Sequence, residues 1–198
     1  MVLDKAIFSI YNVSGPKWLK VAKNIWLSLK GSKMFRGGAE ATVDEKGRIK
    51  IPSKFRTPLL EHFGPKLYVT SFWVPSVRVY PISEWEKIEK IMSASGKAND
   101  PRVRKFLWMT TIFGDEQEID SQGRILIPQR LRKYAKMEGE VIVCGYPTND
   151  IEIWNEKLFY ERFGEQAMSE EDQAYISDLI KEGLNGLHSH PSNDKGGM

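Results

Sequence analysis

The chain has 198 residues, enough for one domain or two small fused domains with a buried core. It is 41% hydrophobic and 28% charged, which is the composition of an ordinary globular protein, and its apolar runs are too short to span a membrane. The net charge of +3 hides an uneven distribution, because residues 1–33 carry +5, residues 34–163 carry +3 and residues 164–198 carry −5. The single cysteine, Cys144, excludes an internal disulfide and fits the reducing cytoplasm. Its apolar neighbours predict a buried core residue.

Residues 1–33 form a basic N-terminal extension that allows two interpretations. Residues 18–27 have the pattern of a basic amphipathic helix that lies on a membrane surface. Alternatively, the codons of residues 30–33 can encode a ribosome-binding sequence just upstream of Met34. We expect the second interpretation to hold, with residues 1–33 arising from a misassigned start site.

A ten-residue segment occurs twice, and this repeat is the most informative feature of the sequence. Residues 43–52 read Val-Asp-Glu-Lys-Gly-Arg-Ile-Lys-Ile-Pro, and residues 119–128 read Ile-Asp-Ser-Gln-Gly-Arg-Ile-Leu-Ile-Pro. The offset is 76 residues, and Arg56 finds Arg132 at the same offset. The chain is therefore predicted to contain two copies of one structural unit.

Each copy of the segment predicts a tight turn between two strands. An Asp followed three residues later by Gly favours a type I turn whose Gly has a positive φ. Beyond the turn, alternation places Ile49 and Ile51 inward and Arg48 and Lys50 outward, and Pro52 ends the strand and begins a helix. The residues expected to shape the two turns are Asp44, Gly47, Asp120 and Gly123.

Both copies continue in the same order: a short helix, a strand, a loop, a strand and a helix with an early aromatic residue, Trp85 or Phe159. The short helices are expected to carry Phe55, Leu59 and Leu60 in the first copy, and Leu131, Tyr134 and Ala135 in the second. We expect residues 34–92 and 115–163 to form the two repeats. Residues 93–114 are a linker and a helix with a broad buried face, capped by Asp100, and residues 164–198 are an acidic helix and a disordered tail.

Each repeat alone is too small for a stable fold, so the two are expected to share one core. Interleaving their strands predicts a mainly β, α+β fold, a pseudo-twofold β-barrel with short flanking helices.

The charged residues near the turns suggest a polyanionic partner. Arginine at a rigid strand start matches phosphate oxygens or the edge of guanine, and a two-stranded ribbon fits the major groove of double-stranded DNA. An alternative is that Asp44 with Arg48, and Asp120 with Arg124, form purely structural ion pairs. The sequence favours this structural role for the two aspartates and leaves both roles open for the two arginines.

The two copies are unequal in charge. Lys46 and Lys50 accompany Arg48 in the first copy, where the second copy has Gln122 and Leu126. We therefore expect the first copy to contact DNA more heavily.

Four motifs together resemble the MraZ family of bacterial transcriptional regulators: Met-Phe-Arg-Gly at residues 34–37, the two Asp-x-x-Gly-Arg turns, and Tyr-Pro-x-x-x-Trp at residues 80–85. The resemblance runs from residue 34 to about residue 163. It implies an AbrB-like swapped-hairpin barrel with both hairpins in one chain. It also implies ring-shaped homo-oligomers in the cytoplasm, on the nucleoid, that bind short direct repeats upstream of the division and cell-wall operon and repress that operon, which includes their own gene. The DNA-binding residues that it implies are Arg48 and Arg124, with Lys46 and Arg36 as phosphate neighbours, and Lys50 joins them by its place on the strand.

Two other classes of function are compatible with a small barrel. An enzyme is disfavoured because the chain has no P-loop, no Gly-x-Gly-x-x-Gly and no His-Glu-x-x-His motif. No cofactor, metal or small-molecule substrate is expected. An antitoxin-like or other protein-interaction barrel without operator binding is the remaining alternative, and two fused copies in one chain argue against it.

Overall fold

The fold is that of a computed structural model, which describes residues 35–72, 74–164 and 168–188. The start-site prediction for residues 1–33 and the predicted disordered tail beyond residue 188 lie outside the described residues. The chain divides into two compact units, one ending at Asn155 and one beginning at Glu156.

The first unit contains eight strands and four helices within the described residues. The strands are β1 (Gly38–Val43), β2 (Arg48–Lys50), β3 (Lys66–Thr70), β4 (Val77–Pro81), β5 (Asp115–Glu118), β6 (Arg124–Leu126), β7 (Gly139–Tyr146) and β8 (Asp150–Asn155). The helices are α1 (Ser53–His62), α2 (Ile82–Ala94), α3 (Pro101–Phe113) and α4 (Gln129–Ala135). This order confirms the strand and helix order predicted for each copy up to the closing helix of the second.

The eight strands form one antiparallel sheet in the order β5-β3-β4-β8-β7-β1-β2-β6. The hairpin of the first copy pairs with the second copy, because β1 pairs with β7 and β2 with β6. The hairpin of the second copy pairs in return with β3 through β5. The two edge strands, β5 and β6, lie close together, so the sheet is a nearly closed barrel. The predicted mainly β, pseudo-twofold swapped-hairpin barrel is confirmed.

The core combines the inward faces of both copies, as strand alternation predicts. Its members include Ile49, Ile51, Phe55, Leu59, Val69 and Val79 from the first copy and Ile125, Ile127, Leu131, Ala135, Val143 and Ile153 from the second. Two apolar residues lie outside this core, and one of them, Cys144, was wrongly predicted to be a buried core residue. Leu60 is 42% exposed because it follows the fully buried Leu59 and points about 100° away around α1. Cys144 is half-buried because Val141 and Val143 occupy the inward face of β7, and burial raises the pKa of its thiol.

A buried ion cluster lies where β4 meets β8. Arg78 is opposite Glu152 in the register, and its guanidinium pairs with Asp150 and, more distantly, with Glu152 (Nη1 to Oε2, 3.7 Å). The side chains are 16%, 0% and 6% exposed for Arg78, Asp150 and Glu152. Ser76 Oγ donates to Glu152 Oε1 at 2.6 Å, and the Tyr146 ring lies 4.8 Å from the guanidinium carbon. Positions 78 and 152 are related by the pseudo-twofold axis, so the two copies carry opposite charges at equivalent sites.

Helix α3 begins and ends where the sequence predicts. The Asp100 carboxylate accepts a hydrogen bond from the Arg102 backbone N–H at 2.8 Å, and Gly114 follows the last turn. The predicted broad buried face is buried only at Thr110 and is half-buried at its other members, which are Val103, Phe106, Leu107, Met109 and Phe113. Trp108 lies outside that face and is 70% exposed. The helix joins the barrel through a polar contact in which Thr70 Oγ1 donates to the Thr110 carbonyl at 2.9 Å.

The second unit contains α5 (Glu156–Phe163) and α6 (Glu170–His188) within the described residues. The acidic helix was predicted from about residue 169 to residue 180, and the observed helix extends further. No helix in the described part of the chain combines the length and the apolarity needed to cross a bilayer.

Candidate nucleic-acid interface

The first turn is held by Asp44 in the way the sequence pattern predicts. The Gly47 N–H donates to the Asp44 carbonyl at 2.8 Å, and Gly47 has a φ of +79°. The Asp44 carboxylate accepts the Arg48 backbone N–H at 2.8 Å on one oxygen and Arg48 Nε at 2.9 Å on the other. A single carboxylate therefore fixes both the backbone and the guanidinium of Arg48.

The second turn repeats this geometry almost atom for atom. The Gly123 N–H donates to the Asp120 carbonyl at 2.8 Å, and Gly123 has a φ of +77°. The Arg124 backbone N–H and Nε both donate to Asp120 at 2.8 Å. Both turns therefore contain the Asp–Arg ion pair that was considered in the sequence analysis as a structural role for these residues.

These contacts stabilise the charged form of both aspartates. The Arg48 backbone N–H, with its guanidinium, lowers the pKa of Asp44. The Arg124 guanidinium, with its backbone N–H, lowers the pKa of Asp120. A guanidinium has five N–H donors, so pairing with one carboxylate leaves donors for a second partner. The arginine side chains are 31% exposed at Arg48 and 25% exposed at Arg124, so solvent and ligands can reach them.

Each turn is also braced by the other copy. The Arg132 guanidinium of α4 lies against Gly47, where a Cβ would overlap it, and Arg56 of α1 lies against Gly123 in the same way. The Ile51 N–H donates to the Gly123 carbonyl at 3.0 Å. Reciprocally, the Ile127 N–H donates to the Gly47 carbonyl at 2.9 Å. In the sequence, Arg56 and Arg132 occupy equivalent positions in the two copies, but no contact with the turns was predicted for either. The signal that could have indicated this contact is that both arginines keep the same spacing from their turns.

The β2–β6 ribbon brings cations of both copies onto one surface. Arg48 lies opposite Leu126 in the register and Lys50 opposite Arg124, while Ile49 and Ile125 face the core. Three cationic side chains and one leucine therefore share the outer face of the ribbon, which we call the ribbon surface (Arg48, Lys50, Arg124 and Leu126).

Pairing between the copies changes the neighbours expected for one of the two lysines of the first copy. Lys50 was expected to reinforce Arg48, but the register places it beside the second turn, opposite Arg124. Lys46 is exposed at the tip of the first turn. The basis for expecting heavier contact by the first copy is therefore weaker, because one of its lysines serves the turn of the second copy.

Arg36 is not brought together with the other predicted site residues. It precedes β1 at the end opposite the first turn, where the Gly145 N–H donates to the Gly37 carbonyl at 2.9 Å. The six residues of β1 separate it from the turn by roughly 20 Å. Arg36 is exposed, but it does not lie beside the ribbon surface.

A metal centre has no support in the described ranges, where no three His, Cys, Asp or Glu side chains are grouped to hold an ion.

Fold and turns together define a class of protein: a single-chain, tandem swapped-hairpin barrel with two Asp-x-x-Gly-Arg turns joined at one ribbon. Comparison with known proteins gives the family. The family model described as "MraZ protein, putative antitoxin-like" matches residues 34–106 and 114–178, and each match contains one copy of the repeat. The chain belongs to the MraZ family.

Individual relatives agree with this assignment. The chain is 35% identical over 146 residues to the transcriptional regulator MraZ of Acidobacterium capsulatum, an alignment covering 74% of this chain and 99% of that protein. It is 35% identical over 147 residues to the protein of the same name from Koribacter versatilis, again with 74% and 99% covered. The corresponding protein of Shewanella sediminis is 37% identical over 153 residues, with the same coverage. These relatives are named as transcriptional regulators and not as enzymes.

Proposed function

We propose that this chain is a sequence-specific DNA-binding transcriptional regulator. It binds short direct repeats upstream of the division and cell-wall operon that includes its own gene, and it represses that operon. The observation that carries the proposal is the ribbon surface, on which Arg48 and Arg124 lie diagonally across a two-stranded antiparallel ribbon formed by both copies.

The dimensions and chemistry of the ribbon suit double-stranded DNA. The major groove of B-DNA is about 12 Å wide and admits a two-stranded ribbon. In this proposal Arg48 and Arg124 contact base edges or phosphates, and Lys46 and Lys50 contact phosphates. The turn residues, Asp44, Gly47, Asp120 and Gly123, hold the arginines in place. Arg36 lies outside this interface.

The modest net charge of +3 fits a regulator that binds through several subunits at once. We infer a ring-shaped homo-oligomer, in which each weak contact with one repeat raises the effective concentration of the neighbouring subunits at the next repeat. A regulator of this kind acts in the cytoplasm, on the nucleoid.

The test is a gel shift with the DNA upstream of this protein's own gene. Arg48→Ala is expected to abolish the shift while the circular dichroism spectrum stays unchanged. Arg104→Ala is the matched control, because Arg104 is exposed on α3 and forms no ion pair with the described residues. Loss of fold in Arg48→Ala would return Arg48 to a structural role. Absence of any shift with wild-type protein would favour the antitoxin-like, protein-binding alternative.

A further inference from the structure

An open groove of about 510 Å³ lies beside the second turn. The first copy contributes Lys50 from β2 and Arg56 from α1 to its lining, and the second copy contributes the turn itself with Asp120 and Arg124. The groove therefore exists only where the two copies meet.

Cations in this groove exceed the available carboxylates. Arg124 is paired with Asp120, with Nη2 2.7 Å from Oδ2. Among the described residues, Lys50 and Arg56 have no carboxylate within ion-pair distance. The Arg56 guanidinium lies directly against Gly123, so it is placed at the second turn. Two unneutralised cations beside the same turn form a site for an anionic oxygen ligand.

We propose that this groove binds one backbone phosphate of the DNA and that Lys50 and Arg56 hold it together. The inference rests on the proposed function and adds to it a phosphate contact made jointly by the two copies, with Arg56 as a residue not previously assigned to binding. Phosphate contacts fix the orientation of a protein on the duplex, whereas base contacts read the sequence. The groove thus sets the register in which Arg124 reaches the DNA.

The test measures the salt dependence of DNA binding in the intact protein. Fluorescence anisotropy follows binding to a labelled duplex from upstream of the gene, between about 50 and 200 mM salt, for wild type, Lys50→Leu, Arg56→Gln and the double variant. Leucine at position 50 is expected to fold, because Leu126 occupies the symmetry-related position on the same ribbon. Lys50→Gln is the substitute if it does not. Lys105→Leu, on the exposed side of α3, removes the same charge elsewhere.

Each phosphate contact that is lost makes the slope of log affinity against log salt less steep by about 0.9. Raising the salt over this fourfold range lowers the affinity of every variant. The factor by which it lowers the affinity of each single variant is expected to be about three times smaller than the factor for wild type. The double variant is expected to match the single variants, because both residues hold the same phosphate. Lys105→Leu is expected to keep the wild-type slope. Unchanged slopes in the single variants, or additive losses in the double variant, would overturn the shared phosphate site.

The source of the phosphate is distinguished by a second measurement. Thermal unfolding is compared in inorganic phosphate and in chloride at equal ionic strength. A rise in melting temperature with phosphate that Lys50→Leu abolishes, together with an unchanged DNA slope, would assign the groove to a free anion and overturn the DNA contact. Wild-type protein that does not bind the duplex would refute the proposed function itself, which is a different outcome from binding that is insensitive to Lys50.

Discussion

Replacing Arg78 by methionine is expected to cause a large loss of stability, because it leaves two buried carboxylates without their cation. Asp150 is fully buried and Glu152 is 6% exposed at its side chain, and both face the Arg78 guanidinium. Breaking a buried ion pair by removing one partner costs about 3–5 kcal/mol. We therefore expect Arg78→Met to lower the free energy of unfolding by about 3–5 kcal/mol near pH 7.

The loss is expected to shrink at lower pH. Burial raises the pKa of Asp150, and Arg78 opposes that rise. A carboxyl whose pKa is raised in the folded state adds stability at low pH that is lost as pH rises through that raised pKa. Because Arg78→Met removes the opposing charge, it raises the pKa of Asp150 further, so the variant is expected to recover stability relative to wild type as pH falls through that raised pKa.

The assay is urea unfolding of wild type and Arg78→Met, followed by circular dichroism at about pH 7 and at about pH 5. Arg104→Met is the matched control, since this exposed arginine is expected to change stability by no more than about 0.5 kcal/mol. A loss below about 1 kcal/mol at pH 7, or a loss that grows on acidification, would refute the assignment of Arg78 as the required counter-ion of the cluster.

Three further predictions concern the turns and the core. Gly47→Ala is expected to destabilise more than Gly64→Ala by roughly 1 kcal/mol in denaturant unfolding, because both glycines have a positive φ but only a Cβ at Gly47 would displace the Arg132 guanidinium; equal losses would mean that the Arg132 contact is unimportant. The stability difference between wild type and Asp44→Asn is expected to disappear as pH falls through the lowered pKa of Asp44, because a depressed carboxyl pKa contributes stability only above it; a difference that persists in acid would contradict the ion pair. Trp85→Ala is expected to cost about 3–5 kcal/mol in thermal or denaturant unfolding, because Trp85 is 3% exposed and stacks on Tyr68 with ring centroids 4.4 Å apart; a loss under about 1 kcal/mol would show that the stack is dispensable.

The fold was largely predictable because its signals are local and occur twice. The Asp-x-x-Gly pattern specified a positive φ at Gly47 and Gly123, and alternation along β2 and β6 specified which isoleucines face inward. Duplication then implied a pseudo-twofold barrel, since neither copy has enough core alone.

Surface exposure was less predictable, because it depends on which neighbour covers a helix face. The face of α3 that was predicted to be buried includes Thr110, which is buried, but also Phe106 and Leu107, which are only half-buried. Periodicity identifies the apolar stripe of a helix, but it defines neither the width of the buried face nor the neighbouring element that packs against it.

The sequence singled out the charged residues of the two turns, but it did not predict how the two copies bring them together. The sequence singled out Arg48, Arg124 and Lys50, whereas the pairing of Lys50 with the second turn depends on strand register between the copies. The cluster around Arg78 was missed because the opposition of Arg78 and Glu152 also depends on that register, and an arginine in an alternating strand is expected to face solvent.

A competition experiment tests most directly whether the two copies together read a DNA sequence. The affinities of wild-type protein for its own upstream duplex and for a scrambled duplex of equal length and composition are compared at about 150 mM salt. We predict a preference of at least about 1,000-fold for the upstream duplex, with most of that preference lost in Arg48→Ala. Equal affinity of wild-type protein for the two duplexes would contradict sequence-specific recognition by this barrel.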